Sequence, residues 1–165
     1  MAEWRNRIVG YGEERPDQLC ANPKNWRIHP KHQQDALAGV LSEVGVVQDV
    51  IVNRQTGYVV DGHLRISLAL REGQGTIPVK YVDLSEAEEA LILATLDPLS
   101  ALAGRDQAKL DELLHEVTTG SPALAAMLAE MSGVIPKPDA DDEPPGGPAS
   151  KDVTCPECGH EFEPD

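Results

Sequence analysis

The chain predicts a mixed α/β (α+β) fold, a small sheet with helices packed on it, followed by a helical annex and a short zinc-knuckle-like tail. Three observations carry the prediction: a helical stripe after Pro30, β-branched runs over 46–52 and 58–60, and a strand that ends in glycine and runs directly into a second helix. With 165 residues there is room for one domain with a sizeable core, and not for two substantial ones.

Residues 1–16 are polar and without a clear period, and read as a loose lead-in. Asn22-Pro23-Lys24-Asn25-Trp26-Arg27 supplies turn chemistry beside an aromatic side chain that reads as a core anchor or loop pin. Ala36, Leu37, Val40, Leu41 and Val44 then lie on one helical face, and Gly45 is placed to end that helix. Residues 46–52 form a strand, Gln55-Thr56-Gly57 a turn, and Tyr58-Val59-Val60 the returning strand of a hairpin. Behind Asp61-Gly62 a short helix runs until Gly73. A strand follows at 77–82, which Pro78 restricts to a sheet edge or to beginning at that residue.

Ser85-Glu86-Ala87-Glu88 is a capping box, and the acids Glu86, Glu88 and Glu89 in that first turn complement the helix dipole. Asp97-Pro98 and Ser121-Pro122 each place a capping side chain before a proline at the first helical position. Between them Leu110, Leu113, Leu114 and Val117 form a stripe, which makes 96–132 a helical annex to a domain over 17–95. Residues 133–152, with five prolines between Pro136 and Pro148, have the composition of a disordered linker.

No apolar run is long enough for a membrane span, and residues 1–12 lack the core of a signal peptide, so a cytoplasmic protein is expected. The net charge of -14 is unevenly spread: residues 1–75 hold nine Lys/Arg against nine Asp/Glu, and residues 76–165 hold five against nineteen. Such a field does not draw the chain to duplex DNA through counterion release alone, which needs a concentrated cationic face. Any DNA contact is therefore local, ligand-gated or made through a partner.

The chemistry points to Asp61-Gly62-His63-Leu64-Arg65. A helix that opens immediately after a strand presents free N–H groups at the positive end of its dipole, where anions are favoured. Gly62 allows close approach, Arg65 offers a planar fork to a phosphate, and His63 adds a donor or proton carrier near neutral pH. The competing local reading is structural: Gly62 serves a tight turn, Arg65 pairs with an acid such as Asp61, and His63 is a solvated cap. His29 and His32 read as members of a solvated loop, and Cys20 as a small buried residue.

Three segments in order resemble the N-terminal domain of the ParB/sulfiredoxin superfamily over about residues 17–95. Asn22-Pro23-Lys24-Asn25-Trp26-Arg27 is similar to its opening Asn-Pro-x-x-x-Arg box, and Gly45-Val46-Val47-Gln48-Asp49-Val50-Ile51-Val52 to its Gly-hydrophobic-hydrophobic-Gln-Pro-aliphatic strand. Asp61-Gly62-His63-Leu64-Arg65 stands where partition proteins have Gly-Glu-Arg-Arg and sulfiredoxins Gly-Cys-His-Arg. The resemblance implies phosphate contact at Gly62, His63 and Arg65, with Gln48 near base or sugar and the opening box bringing Asn22 and Arg27 to the same nucleotide. The implied ligand is a ribonucleotide (CTP, ATP or ADP) with Mg²⁺.

The Asp-Gly-His-Leu-Arg form, with Val79-Lys80-Tyr81-Val82-Asp83-Leu84-Ser85 and Thr95-Leu96-Asp97-Pro98-Leu99, resembles a branch from phages and bacterial mobile elements. There such a domain precedes, or is fused to, a DNA methyltransferase. This implies a stand-alone module of DNA modification, replication or packaging that acts in a bacterial cytoplasm, with DNA or a DNA-processing protein as partner and a homodimer as one form. Two alternatives accompany it. One is an enzyme on the same fold, a slow NTPase, small-molecule phosphotransferase or DNA nuclease, with His63 or Asp61 as the catalytic residue. The other is a ligand-free adaptor that grips a partner through its tail. Sulfiredoxin chemistry is excluded because His63 stands where that enzyme has its attacking cysteine. Asp97-Pro98-Leu99 also replaces the Glu-Asn-x-x-Arg of partition proteins, which removes a second phosphate contact.

In the tail, residues 153–165, Thr154-Cys155-Pro156-Glu157-Cys158-Gly159-His160 has the tight turn of a zinc knuckle. Cys155, Cys158 and His160 supply at most three of the four ligands that Zn²⁺ requires, which makes this half a ribbon. The missing ligand would come from a second copy; otherwise the half ribbon carries no metal.

Overall fold

The computed structural model describes residues 3–133, and beyond them only the backbone of 153–154 and 161–162. Its elements are β1 (Ile8–Glu14), α1 (Lys31–Glu43), β2 (Val50–Asn53), β3 (Val59–Asp61), α2 (His63–Arg71), β4 (Ile77–Val82), α3 (Glu86–Ala101), α4 (Gln107–Glu116) and α5 (Pro122–Met131). A further two-residue pairing, β5 (Val153–Thr154) with β6 (Glu161–Phe162), is antiparallel. Cys155, Cys158 and His160 lie outside the described residues, as does the expected linker.

The expected mixed α/β architecture is present. Four strands form one sheet in the order β1-β4-β2-β3, antiparallel at both outer pairs and parallel between β2 and β4. The parallel step needs a crossover, and β3 with α2 provides it. The core lies where α2 crosses the sheet: Ile66 and Ala69 pack on Val50, Val52, Val59, Ile77 and Val79. Each such buried aliphatic side chain contributes about 1.5–3 kcal/mol relative to exposure, so this layer fixes where α2 begins.

Several boundaries differ from the sequence reading. The lead-in contains β1, which pairs with β4 from Ile8↔Val82 to Glu14↔Ile77. Gly10 and Gly12 interrupt its alternation and most of its side chains stay exposed, so no period marks it. Arg7 fastens its start through two N–H bonds to the Glu88 carboxylate, at 2.7 and 2.8 Å, and a third from Nε to the Asp83 carbonyl. That pairing, with the Ser85 N–H bond, holds the Glu88 carboxyl down at about 2.

β2 begins at Val50 rather than at residue 46. β4 lies inside the sheet, which overturns the first of the two expectations, an edge position; it begins at Ile77, one residue before Pro78. Its ladder with β2 starts at Val79, one residue past Pro78, so the missing N–H falls outside that pairing.

The capping box at Ser85 and the cap at Ser121 are formed. Asp97-Pro98 does not start a helix, because α3 runs through it to Ala101 and the boundary drawn at 95/96 lies within that helix. Pro98 removes one helical hydrogen bond at an exposed turn, and the Asp97 carboxylate is drawn to Arg27 instead of capping. Cys20 is exposed, not buried, and its carbonyl accepts the Val59 N–H at the edge of the sheet. Trp26 is 59% exposed and acts as a pin, its indole N–H donating to the Leu93 carbonyl. Among the described residues no helix is long and apolar enough to cross a membrane.

Candidate functional site

Gly62 stands between the end of β3 and the first residue of α2 with φ +98°, a conformation that glycine tolerates and other residues rarely adopt. No side chain caps α2, and no described group accepts the amide protons of His63, Leu64 and Arg65. The first intrahelical bond is Ile66 N–H to the Gly62 carbonyl at 3.0 Å. Three amide donors thus remain free at the positive end of the helix, as the sequence reading expects.

The residues singled out from sequence converge on this turn. Asp61 is buried at the end of β3; its Oδ1 accepts from Arg27 Nη1 at 3.2 Å and its Oδ2 from Arg65 Nη2 at 2.8 Å. Gln48 donates to the same Oδ2 and accepts from Arg65 Nη1, both at 3.4 Å. Arg65 Nη2 also reaches the Asp49 carbonyl at 3.3 Å. The opening box therefore folds over the turn, and the ion pair that the structural reading of Arg65 invoked is present.

Two guanidinium groups nevertheless face one buried carboxylate. The second acid in reach is Asp97, 53% exposed, whose Oδ2 comes within 2.7 Å of Arg27 Nε without lying along its N–H bond. The Arg27 side chain is only 10% exposed, and that of Arg65 13%. Arg27 Nη2 and Arg65 Nε have no hydrogen-bond acceptor. A buried donor without a partner costs about 1–3 kcal/mol, and more when charged, so an anion's oxygens at this turn would offset that cost.

His63 opens α2, half-buried. Its Nε2 accepts the Asn22 backbone N–H at 3.2 Å, which puts the ring proton on Nδ1, itself buried and unpartnered. Burial, reinforced by the Arg27 charge and by His29, moves its pKa below the ordinary histidine value against the pull of Asp61. The unfolded chain therefore binds a proton at a higher pH than the folded one, and stability falls as pH drops through the ordinary value near 6.5. Urea midpoints at pH 7.5 and 5.5 are expected to lie further apart for the parent than for His63→Gln; equal gaps would show that His63 does not contribute.

Asn22 stands apart from the ligand-facing set. Its buried side chain donates to Glu89 Oε1 at 2.8 Å and accepts the Lys24 N–H at 2.9 Å, so it shapes the loop that holds His63. Glu89 is the residue sequence reasoning missed. Instead of serving only the helix dipole, it is buried and accepts from Asn22, from Asn53 Nδ2 at 2.6 Å and from Thr56 Oγ1 at 2.5 Å. Its place four residues before buried Leu93, on the same helical face, was the available signal. Asp97 was missed too, because its partner Arg27 is distant in sequence.

A cavity of about 810 Å³ lies on the other flank of Arg65, between α1, α2 and the loop at Gly120-Ser121. Gly62 and His63 do not line it, so the shelf at the turn lies outside this cavity.

No protein-family model matches the chain, and no curated protein is significantly similar to it. Among solved structures it resembles the C-terminally truncated chromosome-partitioning protein ParB from Caulobacter crescentus complexed with CTP-γ-S. That likeness has 24% identity and a TM-score of 0.51, and covers 65% of this chain and 61% of the other. A Pnob8-like ParB-N domain is similar at 14% identity with a TM-score of 0.48, over 96% of this chain and 59% of the other. The chain thus spans about three fifths of the length of these structures. The fold is that of a ParB N-terminal domain.

Proposed function

We propose that this ParB-like fold serves as a nucleotide-binding module, holding a phosphate group at the N-terminus of α2 between Arg27, His63 and Arg65. The observation that carries the reading is the set of three buried side-chain N–H groups without acceptors, Arg27 Nη2, His63 Nδ1 and Arg65 Nε, beside an uncapped helix start. A phosphate offers several acceptor oxygens and favours planar guanidinium donors, which matches that set. The CTP-γ-S carried by the similar ParB structure supports a nucleotide as the source of the phosphate. Gln48, exposed beside Arg65, would meet base or sugar, as the family resemblance implies.

The wider role, a module in phage or mobile-element DNA metabolism, rests on the Asp-Gly-His-Leu-Arg resemblance. DNA would be reached locally or through a partner such as a methyltransferase, since the excess acid lies in the second half of the chain. The enzymatic alternatives, phosphotransfer or DNA cleavage, need a free base. In the resting site each Asp61 oxygen accepts from a guanidinium, and His63 Nε2 accepts the Asn22 N–H.

Thermal unfolding and calorimetric titration with CTP, ATP and ADP test the reading. At least one is expected to raise the melting temperature of the full chain. Arg27→Ala and Arg65→Ala, each losing charge-assisted bonds worth about 1.5–3 kcal/mol, should weaken binding about ten- to hundredfold. No heat and no shift with any nucleotide would end the proposal.

A further inference from the structure

We infer that the site takes its anion free of a divalent cation, with Arg27, Arg65 and the helix start supplying all the positive charge. The inference rests on the phosphate-binding reading above and departs from the Mg²⁺ that the family resemblance implies.

A protein that shares Mg²⁺ with a phosphate usually offers it one or two carboxylates. Each carboxylate around the turn already lies against a cation. Asp61 Oδ1 holds Arg27 and Oδ2 holds Arg65 and Gln48. Asp97 lies against Arg27 Nε, and the Asp49 carboxylate is turned to Lys80 Nζ at 3.8 Å. Gln48 Oε1 accepts from Arg65.

The ring of His63 offers a cation no lone pair either. Its lone pair on Nε2 is taken by the Asn22 N–H, and Nδ1 carries the proton, so the nitrogen left over is a donor. Among the described residues no group of three or more His, Cys, Asp or Glu side chains is arranged to hold a metal ion. A cation placed against Asp61 would also have two guanidinium charges beside it in a half-dry site, where like charges repel strongly.

The open valences point the other way. Arg27 Nη2, Arg65 Nε and His63 Nδ1 are all donors. Donors recognise phosphate oxygens, and a chelated Mg²⁺ competes with them for the same lone pairs. The chemical class recognised is therefore an uncomplexed phosphate or polyphosphate, with the nucleoside adding contacts through Gln48.

Titration of the full chain with ADP, CTP and pyrophosphate, once in EDTA and once in excess Mg²⁺, decides the matter. The expected result is binding in EDTA as tight as in Mg²⁺ or tighter, by up to about tenfold. Binding that appears only with Mg²⁺ would overturn the inference and leave the phosphate site standing, whereas no binding under either condition removes the site itself. Tight pyrophosphate binding assigns recognition to the phosphates alone; binding confined to ADP or CTP adds the nucleoside. A gain-of-function variant gives an independent readout. His63→Glu places an oxygen ligand at the helix start and should make binding Mg²⁺-dependent, and a variant that binds without regard to Mg²⁺ counts against the argument.

Discussion

Glu89→Ala is expected to lower the stability of the folded chain by about 3–5 kcal/mol, the largest effect of any single substitution near the site. The substitution removes one carboxylate and strands three donors: the amides of Asn22 and Asn53 and the hydroxyl of Thr56. Asn53 is fully buried and also bridges the Leu84 backbone, donating to its carbonyl and accepting its N–H, so its amide has no route to water. Each stranded donor carries a penalty of about 1–3 kcal/mol, partly relieved where the Asn22 loop can open. Glu86→Ala, in the same turn but exposed, should stay within about 0.5 kcal/mol of the parent in urea unfolding. Similar losses for the two would mean that the network contributes nothing beyond the helix dipole.

The same network has a pH signature. Burial pushes the Glu89 carboxyl upward, but the bonds from Thr56, Asn53 and Asn22, with the Lys24 charge, outweigh it and leave its pKa below the ordinary carboxylate value. A depressed folded value contributes stability that is present above the unfolded pKa near 4.3 and is lost as pH falls through the folded one. The Glu89→Ala penalty is therefore expected to be full at neutral pH and to shrink in acid. Because the Asn22 N–H is the partner of His63 Nε2, loss of the network also reaches the start of α2.

What could be read from the sequence was what short segments encode. The stripe from Ala36 to Val44, the Gln55-Thr56-Gly57 turn and the strand-glycine-helix passage at Asp61-Gly62-His63 each carry their signal within a few residues, and all three are present. β1 carries no such signal, because an exposed edge strand with two glycines has no face to mark, and only its partner β4 defines it. The burial of Glu89 and the approach of Asp97 to Arg27 depend on how α3 lies over the loop at 22–27, which no local pattern encodes. At the turn the structural reading of Arg65 describes its ion pair but not every N–H. Its guanidinium is paired with Asp61 and still keeps a free N–H. Sequence spacing does not count the valences that an ion pair leaves over.

Gly62→Ala should separate the shape of the shelf from its backbone strain, because Gly45 provides a matched control. The two glycines have nearly the same φ, +98° and +91°, so a Cβ imposes similar conformational strain on both, about 1–3 kcal/mol. Their surroundings differ. A Cβ on Gly45 meets nothing within 4 Å, whereas one on Gly62 lies 2.9 Å from Val50 Cγ2, 3.2 Å from Val50 Cα and 3.2 Å from Arg65 Nη2. Val50 is fully buried beneath α2 and has little room to yield, so the crowding adds about 1–3 kcal/mol of overpacking. Gly62→Ala is thus expected to destabilise by more than Gly45→Ala, and the excess measures the crowding alone. Arg65 can give way, since its contact is the far end of a flexible side chain, but only by leaving Asp61, which spoils the placement of the guanidinium. Phosphate affinity should accordingly fall in Gly62→Ala and stay unchanged in Gly45→Ala, measured under conditions where both variants are folded. Equal affinity in the two would show that the anion does not approach the backbone at Gly62, and that the guanidinium groups bind it elsewhere.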